Sequence, residues 1–190
     1  NRLLENRVGG HHRPRRRCER FGRITQRLDH GLDLDHDQDH LEVCFLHIMD
    51  DLGAIDEFKI EASKLKKFVS KIRMGYTSTS YHNFWHAFDV VHKCRLLLLL
   101  EKPRELLVSF DKLSLLLAAI GHDVNHPGHN NSYEENMMTP WAVRYNGKSI
   151  LENHHAATTW QTAVDEDTDI VSHMAPEQKV LFRKTLVEAI

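Results

Sequence analysis

The sequence predicts an all-α fold, a compact bundle of many short helices. From Leu41 onward, apolar residues recur at spacings of three and four, and glycines or proline-containing turns end the runs. No stretch of the sequence alternates polar and apolar residues over the length of a strand. Hydrophobic residues make up 41% of the 190 residues and charged residues 27%, which is enough apolar material for a buried core.

Stripes of apolar residues on one face predict the first four helices. The stripes are Leu41, Phe45, Ile48 and Leu52 for the first helix, Leu65, Phe68, Val69 and Ile72 for the second, and Leu113, Leu116, Leu117 and Ile120 for the fourth. The third helix is predicted over the stretch from near Asn83 to Leu100. Gly53, Gly75 and Gly121 follow three of these stripes, and each is predicted to end its helix. The residues 77–80 form a polar turn, and Pro103 lies beyond the end of the third helix.

Capping signals predict the remaining helices. Thr139-Pro140 is typical of an N-cap followed by the first helical residue, and Asn146-Gly147 is typical of a stop. Ser149 and Glu152 have the spacing of a capping box, which predicts that the next helix begins there. The last predicted helix begins at Pro176 and carries a stripe of Phe182, Leu186, Ala189 and Ile190.

Residues 1–40 differ in composition from the rest of the chain. Nine arginines occur up to Arg27, whereas ten acidic residues and no Lys or Arg occur from Asp29 to Glu57. The segment from Gly31 to His40 has too few apolar residues to be buried. We therefore predict two parts: residues 1–40 form a charged, flexible N-terminal segment, and residues 41–190 form the folded domain.

Charge and cysteine usage exclude several classes of protein. The net charge is −2, which argues against a nucleic-acid partner bound through bulk positive charge. The longest leucine run, from Leu96 to Leu100, is far too short for a membrane span. The three cysteines form no CxxC pair, and their odd number argues against a disulfide framework. We therefore expect an intracellular, cytoplasmic protein without a membrane span in this chain.

Histidine is unusually frequent, at 15 residues, and two segments concentrate it. His82 and His86 are four residues apart and would share a face of a helix. His122-Asp123 directly follows an apolar stripe and precedes the turn His126-Pro127-Gly128. Imidazole and carboxylate ligands suit zinc, manganese, iron or cobalt, and carboxylate with water suits magnesium. The pattern predicts metal-assisted hydrolysis, most naturally of a phosphate ester.

Several motifs together resemble the class I 3′,5′-cyclic nucleotide phosphodiesterases, of the wider superfamily of His-Asp metal hydrolases. The resemblance extends from about Leu41 to Ile190 and covers the N-terminal portion of such a catalytic domain. The motifs are Tyr81-His82-Asn83, His86-Ala87, Asp89-Val90, His122-Asp123, His126-Pro127-Gly128, Asn131 and Leu151-Glu152-Asn153-His154-His155.

The resemblance implies a site with two divalent metal ions, Zn²⁺ and Mg²⁺ or Mn²⁺. His82 matches the general acid, and His86, His122 and Asp123 match metal ligands. The residues that match positions acting through hydrogen bonds or coordinated water are His126, Asn131 and Glu152, and those that match positions beside the nucleotide are Tyr81 and His82. His154 and His155 are interpreted as a buried polar pair without a catalytic role.

The implied activity is hydrolysis of cAMP, cGMP or both to the 5′-monophosphates in cyclic nucleotide signalling. Family members continue past the position of Ile190, where a further aspartate ligand and the purine pocket lie. We therefore expect a catalytically incomplete fragment that is inactive in isolation. Asn125 departs from the family, since many members carry an acidic residue there. The alternatives are a non-catalytic metal-binding or regulatory module, or another nucleotide phosphohydrolase of the same superfamily. A homodimer of the full-length protein stays open.

Overall fold

The computed structural model describes residues 34–190, so most of the predicted flexible segment, residues 1–33, lies outside the described residues. The described part contains ten α-helices and no strand, which confirms the all-α prediction. Residues Gln38–Ile190 form one compact unit. The helices are α1 (Leu34–Asp51), α2 (Ala54–Glu57), α3 (Ala62–Gly75), α4 (Phe84–Leu98), α5 (Glu101–Leu106), α6 (Ser109–Gly121), α7 (Asn131–Asn136), α8 (Pro140–Arg144), α9 (Ile150–Val164) and α10 (Pro176–Ala189).

The predicted apolar stripes form the core. Phe45 of α1, Phe68 of α3, Leu116 of α6 and Phe182 of α10 are all completely buried. Each such side chain contributes about 1.5–3 kcal/mol through its removal from water. The helix α6 is central, because it packs against α4, α9 and α10. At its C-terminal end, His122 contacts His86 of α4 and Gly121 contacts Thr159 of α9.

Helix α1 begins at Leu34, earlier than the apolar stripe predicts. No glycine or proline occurs between Gly31 and Gly53, so the sequence does not interrupt a helix on the N-terminal side of the buried Leu41. Residues 38–40 are exposed or half-buried, and for this reason no periodicity marks them. The division of the chain near residue 40 stays a prediction.

Three short helices, α2, α5 and α7, were not predicted from the sequence. Each has six residues or fewer, which is too short to show an apolar period. Pro103 lies beyond the end of α4, as predicted, and within the first turn of a separate short helix, α5. Proline is tolerated there because the first-turn N–H groups of a helix have no partner within the helix.

The predicted capping box at Ser149 is wrong. Ser149 is the N-cap of α9, but it has left-handed backbone geometry (φ 40°) and its side chain makes no capping hydrogen bond. The Glu152 carboxylate instead accepts hydrogen bonds from the Asn131 side chain (2.9 and 3.2 Å). By contrast, the predicted cap at Thr139 is confirmed, since its hydroxyl accepts from the Ala142 N–H (3.3 Å).

Helices α6 and α9 approach each other closely at Gly121. A Cβ atom added to Gly121 would lie 2.1 Å from Thr159 Oγ1 and 2.6 Å from Thr159 Cγ2. The same hydroxyl donates to the carbonyl oxygens of Gly121 (3.2 Å) and His155 (2.8 Å). Only glycine permits this contact, which holds the end of α6 against the middle of α9.

Candidate metal centre

Helix α6 ends at Gly121, and the next two residues, His122 and Asp123, are predicted ligands. His122 Nδ1 lies 2.9 Å from the carbonyl oxygen of Ala119. A carbonyl oxygen only accepts hydrogen bonds, so Nδ1 carries the hydrogen and donates. In the neutral ring, His122 Nε2 therefore presents a lone pair. A backbone carbonyl commonly orients a metal-binding histidine in this way.

His86 lies in the first turn of α4, and the centroid of its ring lies 5.1 Å from that of His122. Its helix is capped by Asn83, whose side-chain oxygen accepts from the N–H groups of Trp85 (3.1 Å) and His86 (3.2 Å). This cap satisfies two of the four unpaired N–H groups at the helix start. The cap thereby holds the first turn of α4, and with it the His86 ring, in place.

The ligand atoms of His86, His122 and Asp123 converge. His122 Nε2 lies 3.2 Å from His86 Nε2 and 3.1 Å from Asp123 Oδ2, and His86 Nε2 lies 3.4 Å from Asp123 Oδ2. Ligand bonds of about 2.0–2.2 Å place two ligands of one ion roughly 3–4 Å apart. The three side chains are only partly exposed, at 14–24%. Their atoms can therefore hold a common ion.

The pKa values of the three side chains are set by burial and by their hydrogen bonds and charges on one another. Burial lowers the pKa of His122, but its hydrogen bonds with Asp123 and the Ala119 carbonyl outweigh burial and raise it. Burial and the neighbouring His122 lower the pKa of His86. Burial raises the pKa of Asp123, yet the adjacent His122 reverses this and lowers it. Two imidazole nitrogens and a carboxylate oxygen at these distances are a donor set that fits a divalent metal ion.

A second group of ligand atoms surrounds the other oxygen of Asp123. The atoms of Asp123, His126 and His155 lie within 4.8 Å of one another. His155 Nδ1 donates to the Val124 carbonyl (2.7 Å), so its Nε2 presents a lone pair 3.9 Å from Asp123 Oδ1. His126 Nδ1 accepts from the Gly128 N–H (3.0 Å), so its neutral ring carries the hydrogen on Nε2. His155 can therefore bind a metal ion through Nε2, whereas the neutral His126 ring can only donate a hydrogen bond from its Nε2–H.

His82 lies just before α4 rather than on it, so the prediction that His82 and His86 share a helix face is wrong. Asn83 is the N-cap and has extended backbone geometry, so the helix begins at the next residue, Phe84. The His82 ring stacks on His126, with centroids 3.8 Å apart and planes within 8°. It lies 6.2 Å from the His86 ring. His82 therefore borders the cluster without joining it.

Tyr81 and Asn131 complete the surroundings of the cluster. The Tyr81 side chain is 62% exposed, and its ring lies 4.5 Å from that of His86. The Asn131 oxygen accepts from the Leu151 N–H (2.9 Å), while its NH₂ group donates to Glu152. These bonds link α7 to the first turn of α9. They also show that Glu152 bonds to Asn131 rather than to the start of its own helix.

His155 is the residue of this site that the sequence pattern did not single out. It is 2% exposed and faces Asp123, whereas its neighbour His154 stacks on Trp141 (3.9 Å). The interpretation of the two histidines as one pair was therefore wrong. The available signal was helical spacing, because His155 shares the buried face of α9 with Leu151 and Thr159.

The fold and the His-Asp cluster define an all-helical domain with a candidate site for divalent metal ions. The family model described as 3'5'-cyclic nucleotide phosphodiesterase matches residues 81–190, which is more than half of the chain. The chain therefore belongs to the 3'5'-cyclic nucleotide phosphodiesterase family, as the motifs predicted.

Similar proteins agree with this assignment. The chain is 35% identical over 147 residues to the high affinity cGMP-specific 3',5'-cyclic phosphodiesterase 9A of Homo sapiens. The aligned region covers 77% of the chain and 25% of that protein. The chain is 30% identical over 174 residues to the 3',5'-cyclic-nucleotide phosphodiesterase regA of Dictyostelium discoideum. Here the aligned region covers 90% of the chain and 22% of that protein. The chain thus spans about a quarter of the length of these curated relatives.

A solved structure shows the same fold. The phosphodiesterase domain of the RhoPDE fusion protein from the choanoflagellate Salpingoeca rosetta superposes with a TM-score of 0.76 at 29% identity. The match covers 84% of the chain and 48% of that structure. Among residues 34–190, no helix combines the length and the apolarity needed to cross a bilayer.

Proposed function

We propose that this chain contributes to the metal-dependent hydrolysis of 3′,5′-cyclic nucleotides to 5′-monophosphates. The observation that carries the proposal is the convergence of His86, His122 and Asp123 in a member of this family. The convergent atoms come from α4 and from the turn after α6, which are far apart in sequence. Both cAMP and cGMP are proposed as substrates, since relatives named for each are similar to the chain.

The residues would hold two divalent ions, proposed as Zn²⁺ and Mg²⁺ or Mn²⁺. His86 Nε2, His122 Nε2 and Asp123 Oδ2 would hold the first, and Asp123 Oδ1 faces the second position. When bound, such ions polarise a phosphate and lower the pKa of water. His126, Asn131 and Glu152 would act on this second position through hydrogen bonds. The carboxylate of Asp123 is the group shared by both positions.

His82 is proposed as the general acid that protonates the leaving 3′ oxygen. Its ring is half-buried and lies beside the ligand cluster rather than in it, so its nitrogens stay available for proton transfer. Stacking on His126 restricts the orientation of the ring. Tyr81, adjacent and exposed, is proposed to contact the bound nucleotide.

The test is an assay of the full-length protein that contains this chain. We expect formation of 5′-monophosphate from cAMP or cGMP, loss of the activity with a chelator, and its return with Zn²⁺ and Mg²⁺ or Mn²⁺. A His173→Ala variant, which alters an exposed histidine, serves as the control for His86→Ala. Hydrolysis that persists in chelator would contradict the proposal. Metal binding without hydrolysis would instead support a regulatory module.

An intracellular location is also proposed. Cys44 and Cys94 are free thiols, and burial raises the pKa of each above its ordinary value, which makes them unreactive. Fractionation of cells that express the full-length protein tests the location, and recovery of the protein in a secreted fraction would contradict it. A homodimer of the full-length protein stays a prediction for sedimentation measurements.

A further inference from the structure

The Tyr76 hydroxyl lies between two backbone groups at the end of α6. It donates to the Ile120 carbonyl (2.9 Å) and accepts from the Asp123 N–H (3.2 Å). Tyr76 is thus bound to the backbone of a proposed ligand while it touches no ligand atom itself. A hydroxyl can donate and accept at the same time, so it satisfies both backbone groups.

The end of α6 explains why this hydroxyl is needed. If the helix continued, the Asp123 N–H would donate to the carbonyl four residues earlier, that of Ala119. That carbonyl already accepts from His122 Nδ1 (2.9 Å). The Asp123 N–H instead donates to the Tyr76 hydroxyl (3.2 Å), and the Val124 N–H closes the turn on the Gly121 carbonyl (3.1 Å). The Ala119 carbonyl orients the His122 ring, and the Tyr76 hydroxyl orients the backbone of Asp123.

Tyr76 also contacts the helix that carries the other proposed ligand. Its ring packs edge-on against Phe84, the first residue of α4, with centroids 5.8 Å apart. The preceding residue, Gly75, accepts from the Asn125 N–H (2.9 Å), and a Cβ there would lie 2.6 Å from a methyl group of Val124. The segment 75–76 is therefore in contact with both ligand-bearing parts of the fold.

We propose that Tyr76 is a positioning residue of the metal centre, whose hydroxyl holds the Asp123 backbone so that the carboxylate faces His86 and His122. The inference rests on the proposed function, because it assigns a role at the same site. Removal of a residue that hydrogen-bonds a metal ligand and orients it typically lowers metal affinity by about 10–100-fold. A residue that only stabilises the fold leaves the affinity of the folded chain unchanged.

The test compares Tyr76→Phe with Thr168→Val in the 190-residue chain. Tyr76→Phe removes one oxygen and keeps the ring. Thr168→Val removes another buried hydroxyl, which donates to the Thr162 carbonyl (2.5 Å) beyond the far end of α9. Zn²⁺ affinity is measured by competition with a chromophoric chelator, and Co²⁺ binding by its d–d absorption. Both are measured at a temperature at which circular dichroism shows the variants folded.

We expect Tyr76→Phe to weaken Zn²⁺ binding about 10-fold and to shift the Co²⁺ bands, in line with other residues that orient ligands. Thr168→Val should lower Tm and leave both metal readouts unchanged. Equal Tm losses with wild-type Zn²⁺ affinity and Co²⁺ spectra in both variants would overturn the role of Tyr76. Failure of the wild-type chain to bind Zn²⁺ or Co²⁺ would instead overturn the proposed metal centre, and the inference with it.

Discussion

Replacement of Gly121 by alanine tests the contact that joins α6 to α9. The new Cβ would lie 2.1 Å from Thr159 Oγ1, 2.6 Å from its Cγ2 and 2.9 Å from its Cβ. Thr159 is fully buried, and rotation of its side chain would withdraw the hydroxyl from the Gly121 and His155 carbonyls. The helices must therefore separate or the hydroxyl must lose its acceptors.

The magnitude follows from these two costs. Overpacking in a filled core costs about 1–3 kcal/mol. Loss of the buried hydroxyl's hydrogen bonds adds about 1 kcal/mol. We expect Gly121→Ala to lower the free energy of unfolding by about 2–4 kcal/mol, as measured by urea denaturation of the 190-residue chain.

A double-mutant cycle with Thr159→Ala separates this contact from a general effect of alanine at position 121. Removal of Oγ1 and Cγ2 relieves the two shortest approaches, so the double variant should be less destabilised than the sum of the single variants. A loss below about 0.5 kcal/mol for Gly121→Ala, or strict additivity of the two changes, would refute the reasoning.

Three further predictions concern the site. His86→Ala and Asp123→Ala should each remove bound metal and activity together in the full-length protein; full metal content in either variant, by metal analysis, would exclude that residue as a ligand. His82→Ala should leave the metals bound but slow hydrolysis by about 10²–10⁴-fold, and an unchanged rate would exclude the acid role. Burial lowers the pKa of His155 from 6.5 to about 4, so its contribution to stability is present above pH 6.5 and is lost as the pH falls towards 4. Chelator-treated chain should lose up to about 3 kcal/mol over this interval, and a His155→Asn variant with the same pH slope would contradict the assignment.

Long amphipathic helices were predictable because each carries its own apolar period. The stripe of Leu65, Phe68, Val69 and Ile72 is completely buried in α3, as its spacing predicts. The start of α1 and the helices α2, α5 and α7 were not predictable in this way. The short helices carry no apolar period, and of the three only α7 has a side-chain cap, from Asn130.

The candidate ligands could be identified from motifs, but the way in which the fold brings them together could not. His122 and Asp123 are adjacent, and only the end of α6 at Gly121 allows both to face His86. His155 was overlooked because its role depends on which face of α9 packs against Gly121. Tyr76 acts on backbone groups, so no pattern of ligand residues marks it.

The most direct measurement is X-ray absorption at the zinc edge of the chain loaded with one equivalent of Zn²⁺. Two imidazole nitrogens and a carboxylate oxygen should appear at about 2.0–2.2 Å, and the imidazole signal should fall in His86→Ala and in His122→Ala. A spectrum with no imidazole scattering, or one that neither substitution alters, would contradict a shared ion at these side chains.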